Sequence, residues 1–481
     1  MDTVIVWFRR DLRLADNPAL SAAAAQGARV IPVWIDTRAE EGDWPPGGAA
    51  QWWLHHSLEA LQDRLAALGS RLVLCSGPAL AALEQLVEKT GASGVYWNRL
   101  YEPASVARDT AIKKALRARG QVVRSFQANL LVEPWQVATG AGKPYRVFSP
   151  FWRNARRQVA ARSPQPPAAQ LETPAAWPES LSLGALRLLP RQDWATGFTE
   201  HWTPGEAGAQ DALDAFLDGP LGDYAQAREL PAVAGSSRLS PHLHFGELSP
   251  DQVWSVVASR LPEAGEDAEH YLRELGWREF AHHVLYHFPT TPTEPLQPHF
   301  AAFPWRSGHQ ALLVAWQRGR TGLPIVDAGM RQLWHSGWMH NRVRMIVASL
   351  LVKNIRAPWQ KGAAWFWDTL LDADLASNTL GWQWAAGCGA DAAPYFRIFN
   401  PVRQGEKFDP EGAYVRRWVP ELARLPAKWI HQPWVAPPAV LEQADIRLDE
   451  TYPRPVVDLA ESRAQALAAL ATLNEARRAG D

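Results

Sequence analysis

The chain has 481 residues, 47% of them hydrophobic and 21% charged, with a formal net charge of −1; two domains and a connector are expected, because this length exceeds what one core serves. The near-neutral balance argues mildly against a nucleic-acid binder, although a whole-chain sum can hide a local basic patch. Only Cys75 and Cys388 are present, which excludes a disulfide framework, a cysteine zinc site and a four-cysteine iron–sulfur cluster and fits a reducing cytoplasm.

From the N-terminus, Val4–Phe8, Val30–Ile35, Leu72–Cys75, Val95–Trp97 and Val122–Phe126 are short apolar runs that read as buried strands. Between them, Trp52–Leu68, Ala79–Lys89 and Ala104–Arg119 carry helical periodicity. This alternation predicts an α/β, Rossmann-like doubly wound parallel sheet over residues 1–130. No G-x-G-x-x-G follows the first strand, so the dinucleotide fingerprint is missing and a nucleotide-dependent oxidoreductase is disfavoured. The chain opens on a strand and not on a basic region with an apolar signal core, and no run of about 18 apolar residues follows, so neither export nor membrane insertion is expected.

Periodicity fades over residues 131–202, and Ser163–Leu189 is rich in Pro, Ala and Ser, as expected of an interdomain connector. Over 203–481 helical segments dominate: Glu206–Leu217, Pro250–Ser259, Ala268–Tyr286, Ala311–Arg318, Ile325–Trp334, Trp338–Lys353 and Ala363–Leu375. Ser249-Pro250-Asp251-Gln252 has the serine, first-turn proline and glutamine of a capping box. The second domain is therefore expected to be all α.

Three segments there carry chemistry. On one helical face, Glu274, Trp277 and Arg278 follow Tyr271 by one turn and more; an indole, a carboxylate and a guanidinium suit a nucleobase, while a charged surface face with one packing tryptophan is an equal alternative. In the apolar run Trp338–Lys353, Asn341 and Met345 share a face, and Arg342 and Arg344 need partners, for which Asp372 and Asp374 are candidates within a structural ion-pair network. Gly235–Ser240 is a small, hydroxyl-rich loop before Pro241, suited to a pyrophosphate, although a plain capped loop is the commoner explanation. His282-His283 and His242–His244 are expected to pack or lie on the surface, and no metal site is expected. The 25 tryptophans fit heavy packing, stacking surfaces or electron stepping stones, and composition does not choose.

Together these segments resemble the photolyase and cryptochrome family: Val6-Trp7-Phe8-Arg9-Arg10-Asp11-Leu12-Arg13-Leu14, GWREF at 276–280, GWMHNRVRM at 337–345 and GWQWAAGCGADAAPYFRIFNP at 381–401. WFWDTLLDADLASNTLGWQW at 365–384 also resembles plant cryptochromes, which points to the class III photolyase branch beside them, with class I the other bacterial possibility. The resemblance implies a monomeric, cytoplasmic deoxyribodipyrimidine photo-lyase that repairs cyclobutane pyrimidine dimers in UV-damaged DNA. It implies FAD held by Tyr224, Ser236, Ser237, Arg238, Leu239, Ser240 and Tyr271, with Arg344, Asp372, Ala373, Asp374 and Asn378 around the isoalloxazine. Light drives one electron from the reduced flavin to a flipped-out dimer, which returns it after the ring opens; photolyases are among the known base-flipping enzymes.

By the same resemblance the dimer rests against Trp277 and Trp384 and contacts Asn341 and Met345. Glu274 binds it and stabilises its radical anion, Arg228, Arg278, Arg342 and Gln404 hold the DNA, and Trp382, Trp359 and Trp305 carry electrons to oxidised flavin. Where folate-binding members of the best-known bacterial branch carry Asn-Glu, Tyr101-Glu102-Pro103 here runs into Ala104-Ser105, so the usual folate carboxylate ligand is missing. Methenyltetrahydrofolate is still the first expectation for an antenna, with deazaflavin or no antenna behind it and Asp36–Gly48 as a source of another pocket. The competing expectation is a cryptochrome, a blue-light receptor without repair. Against it stand Asn378, where plant cryptochromes carry Asp, and Trp277 and Trp384, an aromatic platform those receptors lack.

Overall fold

The computed structural model describes residues 2–159, 163–190 and 194–480. Strands β1 (Thr3–Phe8), β2 (Arg29–Asp36), β3 (Val73–Ser76), β4 (Gly94–Asn98) and β5 (Val122–Phe126) form one parallel sheet in the order β3-β2-β1-β4-β5. Alternation along β1 divides the core. Val4, Val6 and Phe8 pack with α1 (Pro18–Ala24) and α2 (Gly48–Ala67), whereas Ile5 and Trp7 face α3 (Ala79–Thr90) and α4 (Pro103–Ala118). Strand order reverses between β1 and β4, and the crevice beyond their carboxyl ends is where such sheets place ligands.

Within residues 131–202 lies a helix, α5 (Phe148–Gln158), that the fading periodicity does not predict. Its buried face is Phe148, Phe151, Trp152 and Ala155, which pack against Phe280 and Val284. The second domain contains α6 (Glu206–Asp218), α7 (Pro250–Ser259), α8 (Leu261–His287), α9 (Pro324–Ser336), α10 (Asn341–Ser349), α11 (Trp359–Thr369), α12 (Leu375–Ala386) and α13 (Leu459–Gly480). At α7 the capping box forms as expected: Ser249 Oγ accepts from the Gln252 amide at 2.9 Å and Gln252 Oε1 from the Ser249 amide at 2.8 Å.

Three boundaries differ from expectation, each for a local reason. The long helix α8 begins upstream of Ala268 because a break at Gly265 (φ 47°) joins two helical pieces. The run expected to be helical from Trp338 starts at Asn341, where the His340 ring accepts the Arg342 amide, and leaves α10 through a π-helical turn, Leu350–Ile355. The segment expected as one helix over Ala363–Leu375 is split, since α11 stops at Thr369 and Asp374 caps the unforeseen α12 by accepting the Ser377 amide at 2.7 Å. Leu371 is tied across to the Gly337 carbonyl. This break turns Asp372 and Asp374 off the helix axis and into the domain's centre.

Candidate functional site

Gly235–Ser240 packs directly on the backbone at Ala227, where a Cβ on Gly235 would lie 2.4 Å from the Ala227 carbonyl carbon, so only glycine fits. Ser237 Oγ accepts from the Tyr271 hydroxyl at 3.0 Å and from the Leu239 amide at 3.3 Å. Burial pushes the Tyr271 hydroxyl up to about 12, so it remains a donor. Tyr224 packs edge-on against Tyr271, and burial raises its pKa also. Ser240 Oγ donates to Asp372 at 2.6 Å, and Arg344 donates to the same carboxylate at 2.8 and 3.1 Å. Thus the expected Arg344–Asp372 pair forms. The neighbouring Ala373 is buried, Ser236 is half-buried and Leu239 is fully enclosed.

Arg238 stands apart in this loop. It adopts a left-handed backbone (φ 54°), and its guanidinium lies 4.2 Å over Trp202 and 5.3 Å over Trp338. Its Nε is buried, and among the described residues it has no hydrogen-bond partner and no carboxylate pairs with the guanidinium; burial lowers its pKa. A desolvated guanidinium without a carboxylate is suited to an anion. Asn378, on α12, donates its side-chain amide to the Ala363 carbonyl at 3.0 Å.

Along the outer rim, Glu274 bonds Arg228 at 2.5 Å with a side chain 33% exposed. Burial opposes the charge on Arg228, but the hydrogen bond and attraction of Glu274 raise its pKa overall. Trp277 is half-buried and stacks on Phe148, ring centroids 3.8 Å apart and nearly parallel. Arg278 donates to the Asn129 carbonyl at 2.7 Å and is thereby held toward the α/β domain. Arg342 pairs with Glu229 and lies over Phe408, so neither Asp372 nor Asp374 is its partner, contrary to the ion-pair expectation. Asn341 is exposed; Met345, Trp384 and Gln404 are half-buried. At the centre of this rim sits His340, which motif reading passed over. Burial and the nearby Arg342, Arg344 and Arg228 push its pKa down to about 4.

The other histidines also differ from the expectation of simple packing. His282 Nε2 and His244 Nδ1 lie 3.5 and 3.7 Å from Asp374 Oδ2, and His242 bonds Glu247 at 2.5 Å. Burial opposes charge on both partners, yet mutual attraction holds Asp374 well below the carboxylate range and lifts His282. Asp374 therefore pairs with histidines and not with arginine. Glu102, also within reach of His282, bonds Arg10 after β1, which joins the two domains by a buried charge network. The signal was the Asp-x-Asp of the α11–α12 break, whose partners lie far away in sequence.

The same junction encloses a cavity of about 270 Å³ beyond the carboxyl ends of β1 and β2. Trp34, Trp44 and Trp367 line it with Arg10 and Arg38, and Asp36–Pro46 forms one wall, so the Asp36–Gly48 segment does border a pocket. Behind the loop, Trp382 and Trp359 are each 2% exposed and Trp305 is half-buried. All three pack in the same core. The ring neighbours of Trp382 are Phe366 (5.0 Å) and Trp316 (6.1 Å), neither singled out by the motifs, and a Cβ on Gly362 would overlap the Trp382 ring.

Two domain patterns match this architecture: DNA photolyase over residues 4–170 and the FAD binding domain of DNA photolyase over 271–472. The chain belongs to the photolyase/cryptochrome family. It is 51% identical over 474 residues to the deoxyribodipyrimidine photo-lyase of Agrobacterium fabrum, covering 98% of each chain. To Cryptochrome-1 of Arabidopsis thaliana it is 42% identical, covering 98% of this chain and 70% of that one. Among solved structures it matches a bacterial class III photolyase from Agrobacterium tumefaciens at TM-score 0.95 and 50% identity, covering 99% of this chain and 98% of that one. An archaeal photolyase from Sulfolobus tokodaii, solved with two FAD molecules, matches at TM-score 0.81 and 29% identity, covering 98% and 100%.

Proposed function

We propose that this chain repairs cyclobutane pyrimidine dimers in UV-damaged DNA by light-driven electron transfer from reduced FAD. The observation that carries this is the joining of an anion cradle and an aromatic rim by one helix: Tyr271 on α8 bonds the Ser237 loop, and Glu274 and Trp277 follow on the same helix toward the surface. The high identity to a deoxyribodipyrimidine photo-lyase over nearly the whole chain supports the reaction, and the class III likeness supports that branch.

The cradle fits FAD. Unpaired Arg238, Ser236 and Ser237 suit its diphosphate, with Tyr224, Leu239, Ser240 and Tyr271 closing around it; Arg344, Asp372, Ala373, Asp374 and Asn378 would border the ring. When bound, the reduced flavin supplies the photoexcited electron that opens the cyclobutane ring and receives it back. The protein positions and tunes. Trp277 and Trp384 stack the flipped dimer, Asn341 and Met345 line its pocket, and Glu274, held by Arg228, meets its polar edge. Arg228, Arg278, Arg342 and Gln404 would take flanking phosphates, and Trp382, Trp359 and Trp305 would return the flavin to its reduced state.

Residues 1–130 would serve as the antenna unit, 131–202 as the connector and 203–481 as the FAD and substrate unit. The Trp-lined junction cavity supports an antenna chromophore there, methenyltetrahydrofolate ahead of deazaflavin. No helix among the described residues is long and apolar enough to cross a membrane. The free thiols Cys75 and Cys388 are in keeping with the reducing cytoplasm this reading proposes.

The test has two parts. Denaturation should release close to one FAD per chain, read by chromatography; recovering none after reconstitution with FAD ends this proposal. The reduced protein should then split a thymine dimer in an oligonucleotide under blue light and leave it intact in darkness.

A further inference from the structure

His340 lies at the crossing of the rim's ties and has no assigned contact with flavin or dimer. It is 3% exposed and immediately precedes α10, where its Nδ1 accepts the Arg342 amide at 3.2 Å and caps the helix. A cap needs only one acceptor, and serine, threonine, asparagine or aspartate supplies it better than histidine does. What an imidazole adds is a second nitrogen on the far side of the ring. The ring is also within hydrogen-bonding reach of the Arg228 carbonyl, at the end of the short helical turn Tyr224–Ala227.

The surrounding charges fix the state of that ring. Arg342 and Arg344 approach it from α10 and Arg228 from the rim, and together with burial these three cations oppose a charge on the imidazole. A neutral ring has one acceptor and one donor; Nδ1 is already the acceptor, so the hydrogen is on Nε2 and meets the Arg228 carbonyl. His340 thereby joins two segments distant in sequence through their main chains. Their side chains are crossed as well: Arg228 bonds Glu274 on α8 at 2.5 Å, and Glu229 pairs with Arg342 on α10. Gln332 fixes His340 in turn, its Oε1 accepting the His340 amide at 3.4 Å and the Tyr414 hydroxyl at 2.6 Å.

We infer that His340 is a positioning residue for repair: through its two ring nitrogens it sets the Arg228 main chain against the start of α10, and so holds Glu274 and Asn341 at the separation that lets one dimer meet both. This rests on the repair function proposed above. His340 touches neither lesion nor flavin; it acts through Arg228 on Glu274 and through the helix cap on Asn341. Groups held in place before the ligand arrives need not be ordered when it binds, so the effect is read in dimer affinity.

The experiment uses the full-length FAD-loaded protein. Nitrogen–proton NMR of histidine-labelled wild type, with H340N or H340Q assigning the resonance by its disappearance, should show His340 as the neutral Nε2–H tautomer; a charged ring or the Nδ1–H form overturns the inference whatever the protein binds. Titration in darkness with a duplex carrying one central thymine dimer then compares the wild type with H340N, H340Q, E274A and E274A/H340N, and flavin content with circular dichroism establishes that each is folded. H340N keeps an acceptor for the Arg342 amide but falls short of Arg228, and should bind the dimer roughly 2- to 10-fold more weakly, the effect of one lost hydrogen bond. H340Q, whose longer amide reaches the Arg228 carbonyl, should bind more tightly than H340N. Added to E274A, the His340 change should weaken binding by less than about twofold, because the group it positions is gone. Wild-type affinity in H340N, or the full loss repeated in the E274A background, overturns the inference and leaves His340 a helix cap alone. A wild type that shows the expected tautomer but does not prefer the dimer duplex over undamaged duplex refutes the repair function first, and the inference falls with it.

Discussion

Trp382 and Trp277 lie in the same domain in opposite settings. Trp382 is 2% exposed, its indole N–H has no acceptor among the described residues, and Phe366 and Trp316 surround it. Trp277 is half-buried, with Phe148 against one face. The contrast separates two uses of one side chain. An enclosed indole in contact with other rings suits electron passage, while a supported, half-open indole is a platform for a flat ligand.

Substitutions can break that contrast. In Trp382→Phe, light-driven reduction of oxidised flavin, followed by transient absorption, should be nearly lost while repair by chemically pre-reduced protein persists; an unchanged photoreduction rate would move electron supply to another tryptophan. Trp277→Ala should do the reverse, keeping photoreduction and weakening dimer-duplex affinity in a titration by about 1–3 kcal/mol, the range for loss of one stacking partner.

A smaller effect concerns the buried ties against the rim pair. His282→Gln, at the domain junction, should cost about 1.5 kcal/mol of stability near pH 6, a typical value for a buried hydrogen bond to a charged group. Because pairing with Asp374 raises the His282 pKa, this stabilisation is complete below the unfolded value near 6.5 and is lost as pH climbs through the raised value. Asp374, whose pKa is depressed, loses its share only in acid, so the difference between wild type and variant should shrink toward pH 9 in denaturant titrations. Glu274→Gln, by contrast, removes a pair already in contact with solvent and should change stability by less than about 1 kcal/mol while lowering repair yield.

The α/β half was legible because every strand is a short apolar run bounded by helical period, and β5 falls on Val122–Phe126 as read. The helical half was legible in its longer helices and at α7, where the capping box is local. What escaped depended on distant partners. The end of α11 and the start of α12 rest on Asp374 and on Leu371 bonding Gly337, and an apolar run through Leu370-Leu371 hides that break. Arg342 finds Glu229 rather than an α11–α12 aspartate, a pairing over 113 residues that no spacing rule reveals. Helix α5 was concealed by its aromatic, arginine-rich composition. The site residues themselves were reached through the family's motifs; chemistry alone left Glu274 and Trp277 level with an ordinary surface face.

Rearranging a (6-4) photoproduct calls for a proton donor beside the lesion, and neither Asn341 nor Met345 is one near neutral pH. The neighbouring His340 is held neutral, its pKa pushed down to about 4 by burial and three arginines, and its ring accepts the Arg342 amide. The direct test presents the reduced protein, under blue light, with two oligonucleotides that each carry one defined lesion, and reads the products by chromatography. Restored thymines from the cyclobutane dimer with the (6-4) lesion untouched is the predicted result; disappearance of the (6-4) lesion alone, or of neither, would contradict it.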